Sequence, residues 1–222
     1  MMLPTHHRAI AFDFDGTLID SAPAILSGMR YALEKNKIAP TIPLEPGIIG
    51  PPLGITLSRI SGSTDQSLLT QLIADFKHGY DSSGLRDTVA YQGIPELLDH
   101  LHHKGYRLYL ATNKRGIPTR LILDYLRWHP WFSAVYCLDE HPNCADKTQL
   151  LGKLLLENGL IPSVTPYVGD TESDASAAIH HHMPYLHVAW GYGQQLCQPS
   201  SPAYLCSTAG QLQQLLEQSP WS

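Results

Sequence analysis

The sequence predicts an α/β fold on a mostly parallel, doubly wound sheet, with a helical segment inserted after the first strand. Short apolar runs of strand length alternate with runs of helical period along most of the 222 residues. One interval, from the first apolar run to residue 94, is far too long for an ordinary connection and shows no convincing strand. Several apolar runs also stop at acidic or hydroxyl residues, at the strand ends where such sheets gather their functional groups.

The expected strands are 8–14, 106–111, 134–137, 166–169 and 185–189. Helical patterns at 94–104, 117–128, 147–158, 174–182 and 208–218 separate or follow them. Inside the long interval, Ala22, Ile25, Leu26, Met29 and Leu33 recur at helical spacing and predict a helix over 22–37. A turn-rich stretch, 40–52, comes next with Gly47 and Gly50, and then helical patterns at 53–60 and 65–80. The reading is a catalytic core of residues 1–20 and 89–222, with a helical cap of residues 21–88 that leaves and re-enters beside the first strand. Residues 194–207, rich in Pro and Ser, read as a surface loop before the last helix.

The bulk numbers narrow the function. A formal charge of −5 leaves no basic excess for nucleic acid or an anionic membrane, and no run is long and apolar enough to cross a bilayer. Residues 1–10 contain Pro4, His6 and His7 and do not read as a secretory leader. Cys137, Cys144, Cys197 and Cys206 lack CxxC spacing, so free thiols in a reducing cytoplasm are expected. His180, His181 and His182 are consecutive and would point in different directions on a helix, which argues against one shared zinc ion.

The chemistry sits at the strand ends. Asp13-Phe14-Asp15-Gly16-Thr17 closes the first run with two acids and a glycine that permits a sharp turn, so both carboxylates can converge above the strand. Alone, this pentapeptide fits a strand-ending turn equally well. Thr112, Asn113 and Lys114 end the second run in hydroxyl, amide and amine donors suited to phosphate oxygens, although Thr-Asn is also ordinary capping material. Lys147 opens a helical pattern, where the helix dipole prefers anions; a role as a point charge toward phosphate accounts for it, while taken singly a solvated lysine is the simpler reading. Asp170 follows Gly169 at another strand end, and Asp174 comes four residues later at a helix start. Together these place Asp13, Asp15, Asp170 and Asp174 around one cation, and Thr112 and Lys147 around one phosphate. An all-carboxylate set suits Mg²⁺ better than zinc.

With those motifs in place, the chain resembles the haloacid dehalogenase superfamily, in particular its phosphoglycolate-phosphatase-like phosphatases with a helical cap. The resemblance covers nearly the whole chain. It implies a Rossmann-like core in which Asp13 of DxDGT is the nucleophile, Asp15 the general acid/base, Thr112 the second-motif hydroxyl and Lys147 the third-motif lysine. Asp170 and Asp174 match GDxxxD, and the tract 188–193 (Val-Ala-Trp-Gly-Tyr-Gly) is also similar. Two departures stand out: Thr148 where the group commonly has Pro, and His181-His182 where it usually has Ala-Gly.

The resemblance implies Mg²⁺-dependent hydrolysis of a small phosphorylated metabolite by a monomer or homodimer. Mg²⁺ would be held by Asp13, Asp170 and the Asp15 carbonyl, with Asp174 orienting its waters or Lys147. Substrate contacts fall to Thr112, Asn113 and Lys147. Selectivity falls to the cap turn 47–53, where the resembling phosphatases carry a similar Gly-x-Pro-Leu sequence. Arg59 is the cap's candidate for meeting an anionic leaving group, against the alternative of a solvated surface residue. A sugar-phosphate mutase and a phosphonate hydrolase share the core motifs; the latter needs a cap lysine, for which Lys35, Lys37 and Lys77 are available. A phosphate-binding or receiver-like regulatory module is the non-enzyme alternative, but it would carry no eighty-residue insertion.

Overall fold

The first apolar run becomes β1 (Ala9–Phe12), buried along its whole length. Its alternation splits it between two cores: Ile10 and Phe12 pack on one face of the sheet, Ala9 and Ala11 on the other. A strand buried on both faces requires helices above and below, as a parallel sheet does. The chain is described here by a computed structural model covering residues 8–83, 87–193 and 203–218.

Around β1 stand β4 (Arg107–Thr112), β5 (Phe132–Cys137), β6 (Tyr167–Gly169), β7 (Tyr185–Val188) and β8 (Ala203–Cys206), in the order β5-β4-β1-β6-β7-β8. All neighbouring pairs in this sheet are parallel. The chain runs outward from β1 through β4 and β5, then returns to the other side of β1 as β6. The crevice between β1 and β6 is therefore the switch point, where open sheets of this kind hold their ligands.

The expected loop over 194–207 is corrected in part. Residues 194–202 lie outside the described residues, but Ala203–Cys206 form the edge strand β8 against β7. Four residues without clear alternation give too little pattern to mark a strand; the open edge of β7 supplies the partner that decides it.

The flanking helices follow their apolar spacing. In α4 (Ile94–His103) Ile94, Leu97, Leu98 and Leu101 fall at i, i+3, i+4 and i+7 and are all buried. The remaining core helices are α5 (Gly116–Tyr125), α6 (Lys147–Glu157), α7 (Glu172–His180) and α8 (Ala209–Gln218). His182 carries φ +56° just past α7, while His182 N–H and Met183 N–H bond back to the carbonyls of Ile179 and Ala178. That is the left-handed helix ending usually filled by glycine, here borne by histidine. His181, beside it, donates from Nε2 to the Thr148 carbonyl at 2.7 Å, so the sequence's two departures touch each other. Its ring lies where a side chain at Gly152 would fall, 2.7 Å from that Cβ position, so Gly152 keeps α6 and α7 close.

The long insertion holds α1 (Ala22–Lys35), α2 (Leu53–Ser61) and α3 (Gln66–Ser83). Two short strands the sequence did not suggest, β2 (Ile19–Asp20) and β3 (Val89–Ala90), pair antiparallel where the chain leaves and re-enters the core. The three helices pack around a third hydrophobic cluster, which includes Met29, Leu33, Leu57, Leu72, Phe76 and Tyr80, and which Tyr192 joins from beyond β7. Among the described residues, no helix is long and apolar enough to cross a membrane.

Candidate active site

Asp13 directly follows β1, and its backbone N–H bonds to the Val168 carbonyl of β6, 2.8 Å away. That bond fixes it at the switch point. The next residues turn sharply, with Leu18 N–H returning to the Phe14 carbonyl and Gly16 at φ +82°. A Cβ on Gly16 would stand 2.3 Å from an Asp170 carboxylate oxygen, so both the backbone angle and the close approach require glycine here.

Asp170 follows β6 across the crevice. Its Oδ1 accepts from Thr17 Oγ1 at 3.1 Å, and its Oδ2 from the Tyr192 N–H at 2.7 Å. Asp174 lies one turn into α7, where it and Thr171 form a reciprocal capping box. Asp174 Oδ2 accepts from Thr171 N–H and Oγ1, while Oδ1 accepts from Lys147 Nζ at 2.6 Å and Tyr167 OH at 3.3 Å. Both oxygens of Asp174 are thus engaged by the protein itself. Ligand oxygens of Asp13, Asp170 and Asp174 lie within 4.8 Å of one another, and all three residues are buried.

Lys147 is the ammonium that meets this acidic cluster. Its Nζ stands 2.8 Å from Asp13 Oδ1 as an ion pair, but without hydrogen-bond alignment, so that buried oxygen is left with no hydrogen bond. Burial opposes the charged form of Lys147, yet Asp13 and Asp174 hold its pKa above the ordinary value. On the acids, burial dominates: it pushes Asp13 up to about 8, with Asp174 and Asp170 adding repulsion and Lys147 pulling back. Burial, with the Asp174 charge, pushes Asp170 up to about 7. Three clustered carboxylates facing one ammonium, with an orphaned oxygen among them, fit a divalent cation with hard oxygen preference. The group has the capacity to bind such an ion.

Asp15 points away from that cluster. It accepts from Lys114 Nζ at 2.9 and 3.2 Å and from Ser21 Oγ, and Lys114 also donates to Tyr80 OH of α3 at 2.9 Å. Lys114 is nearly buried; burial works against its charge, while Asp15 and Tyr80 hold its pKa above the usual lysine value. A cavity of about 70 Å³ opens between the sheet ends and the insertion, floored by Asp13, Asp15, Thr112 and Lys147.

The sequence profile of the haloacid dehalogenase-like hydrolases matches residues 10–188. The chain belongs to that family. A Pseudomonas aeruginosa 5'-nucleotidase is 29% identical over 94% of this chain and 95% of its own length. An Aliivibrio fischeri phosphoglycolate phosphatase is 30% identical over 77% of this chain and 79% of its own. The solved structure of Mycobacterium tuberculosis Protein Tyrosine Kinase A (PtkA) superposes with a TM-score of 0.79 at 29% identity, covering 94% of this chain and 97% of that one. In sequence the present chain spans 64% of that full-length kinase. With its acidic cluster, the hydrolase is an enzyme suited to hydrolysing phosphate esters.

The hydrolase brings Asp13, Asp170, Asp174 and Lys147 together as the sequence suggested, and Thr112 lines the same cavity. The Thr112 hydroxyl accepts from Lys114 N–H, and none of its described bonds uses the hydroxyl proton. The structure gives the partners and placement of three further candidates. The Asp15 carboxylate is outside the acidic cluster and bound to Lys114. Asn113 lines the cavity, but its amide donates to the Gly50 carbonyl of the insertion at 2.8 Å, bridging the two parts. Arg59 does not line the cavity; it borders a separate groove with Pro52, Ile55, Ser58 and Gln66, because the cavity-facing side of α2 is taken by Leu53 and Thr56. None of Lys35, Lys37 and Lys77 lines the cavity, and Lys35 is paired with Asp75.

Sequence reasoning offered Lys114 as a phosphate donor without foreseeing its partners Asp15 and Tyr80, and it missed Tyr192 as a site residue. Tyr192 N–H holds Asp170, while its hydroxyl accepts from the N–H groups of Ser21 and Ala22 at 2.7 and 2.9 Å and donates to Asp20 Oδ1. One residue, through its backbone N–H on one side and its hydroxyl on the other, therefore ties the acidic cluster to the start of the insertion. The available signal was the Trp-Gly-Tyr-Gly tract, which does not say which partner the tyrosine meets.

Proposed function

We propose that this hydrolase cleaves a small-molecule phosphate monoester with Mg²⁺ through an aspartyl-phosphate on Asp13, in the manner of phosphoglycolate-phosphatase-like enzymes. The observation that carries the reading is the pairing of a buried Asp13–Asp170–Asp174–Lys147 cluster with a separate acid, Asp15, on the floor of the same cavity. Asp13, Asp170 and the Asp15 carbonyl would hold Mg²⁺, which when bound neutralises charge on the phosphoryl oxygens.

Asp13 attacks phosphorus in line as the ester bond to the leaving oxygen breaks. Asp15 gives that oxygen its proton, then takes one from the water that hydrolyses the acyl phosphate. Lys147 and the Thr112 hydroxyl stabilise the equatorial oxygens as charge shifts. Asp174, with both oxygens occupied by Lys147, Tyr167 and Thr171, orients the lysine. In this reading residues 21–88 act as a cap over a core of 1–20 and 89–222, and closure excludes bulk water.

Phosphate release from p-nitrophenyl phosphate, with and without Mg²⁺, tests it beside Asp13→Asn. The amide cannot act as nucleophile, so kcat should fall by about 10⁴-fold or more with an unchanged circular dichroism spectrum. Activity near wild type after deamidation is excluded would reject the covalent route.

A further inference from the structure

We infer that the ester this enzyme is built for has an uncharged leaving group with an apolar face, and that a leaving group bearing a carboxylate is disfavoured. The inference rests on the phosphatase reading and specifies its substrate class.

The roof of the cavity is the leaving-group side, because the phosphoryl-binding groups all lie on the floor. From the insertion it is lined by Ile25, Met29, Ile49, Leu53, Phe76 and Tyr80. Thr56 is the polar addition, and no charged side chain of the insertion lines the cavity among the described residues. Phe76 and Tyr80 stack on one another, ring centroids 5.3 Å apart and 11° from parallel, and close one wall.

Cations do line the cavity from the core side, but each is already matched. Lys147 is paired with Asp13 and Asp174. Lys114 spends its donors on both oxygens of Asp15 and on Tyr80 OH. Arg115 holds both oxygens of Asp81 through its two terminal nitrogens. Arg59 borders the other groove. A carboxylate entering under this roof would lose its water without gaining an unpaired cation, and taking Lys114 would strip the partner from Asp15. A buried anion left in that state is costly. An alkyl or amide group meets no such penalty.

The test uses three esters of similar size: 2-phosphoglycolate, its neutral isostere 2-phosphoglycolamide, and n-propyl phosphate, with p-nitrophenyl phosphate as the general readout. With Mg²⁺, kcat/KM for the two neutral esters should exceed that for 2-phosphoglycolate by at least about tenfold. Met29→Lys and, separately, Thr56→Lys put a cation on the roof and should narrow that gap. Equal or better use of 2-phosphoglycolate by the wild-type enzyme would overturn the inference while leaving the phosphatase reading intact. Turnover of p-nitrophenyl phosphate with neither neutral ester accepted would do the same. Failure on all four esters would remove the phosphatase reading itself, and the inference with it.

Discussion

At the floor of the cavity, Asp13, Lys147, Asp170 and Asp174 are buried charges, each held by bonds that originate in strand ends and helix caps. A few ångströms above, the roof is made of aliphatic and aromatic side chains from α1, the turn before α2, α2 and α3, held by a hydrophobic core that is not shared with the sheet. The difference is physical. A buried charge is tolerable only with specific partners, so its position is over-determined and its replacement is felt as lost chemistry. Apolar contact is non-directional, so the roof can exchange shape and size without disturbing the floor. One family chemistry can then serve many esters, with variation confined to the insertion.

Lys114 is the sharpest way to break that comparison, since it belongs to the core but touches the roof through Tyr80. Lys114→Met should lower kcat by about 10²-fold, because Asp15, the acid/base proposed above, loses the ammonium that orients it; general acid–base catalysis is worth roughly 10²–10⁴. The midpoint of activation by a divalent cation should stay put, since Asp15's carboxylate lies outside the acidic cluster. A variant that loses stability but keeps kcat would move Lys114 to the structural side.

Tyr192→Phe tests the link between the two regions. The change removes one hydroxyl serving the N–H groups of Ser21 and Ala22 and the Asp20 carboxylate, while the backbone N–H that holds Asp170 remains. Thermal unfolding should show a loss of about 1–2 kcal/mol. In kinetics, KM should rise more than kcat falls; a large fall in kcat alone would mean that the floor, too, depends on the hydroxyl.

The smallest effect belongs to the insertion alone. Asp75 accepts from Lys35, Gln71 and Asn36, and these bonds hold its carboxyl down at about 2. A depressed carboxylate contributes stability that is complete above its unfolded value, near 3.8, and is lost as pH falls through about 2. Melting temperatures of wild type and Asp75→Asn, measured from pH 5 to 2 without metal, should therefore converge as the pH drops. A gap independent of pH would show that the carboxylate charge is not what these partners stabilise.

Much of the floor was legible because two of its acids end apolar runs: Asp13 after β1 and Asp170 after β6 announce themselves by a change of residue type. The insertion was legible as excess length with helical period. Less was visible where the answer lay in a partner. Asn113 has the donors of a phosphate ligand, but it meets the Gly50 carbonyl, 63 positions away. Arg59 has the right charge and lies close in sequence to the cavity-lining turn, yet helical rotation sends it to the other groove. The strand β8 needed the edge of β7 to exist at all.

By itself, the sequence determined the parallel sheet, the helical insertion and the set of acids at the strand ends, because periodicity and abrupt polarity changes are local properties of the chain. Only the tertiary structure decided that Asp15 belongs to Lys114 rather than to the acidic cluster, that Tyr80 reaches Lys114 across 34 positions, and that the insertion lines the cavity with no charged side chain among the described residues. Pairing depends on which side chains share a few ångströms of buried space, and the period of a helix or strand reports a residue's face without naming its neighbour.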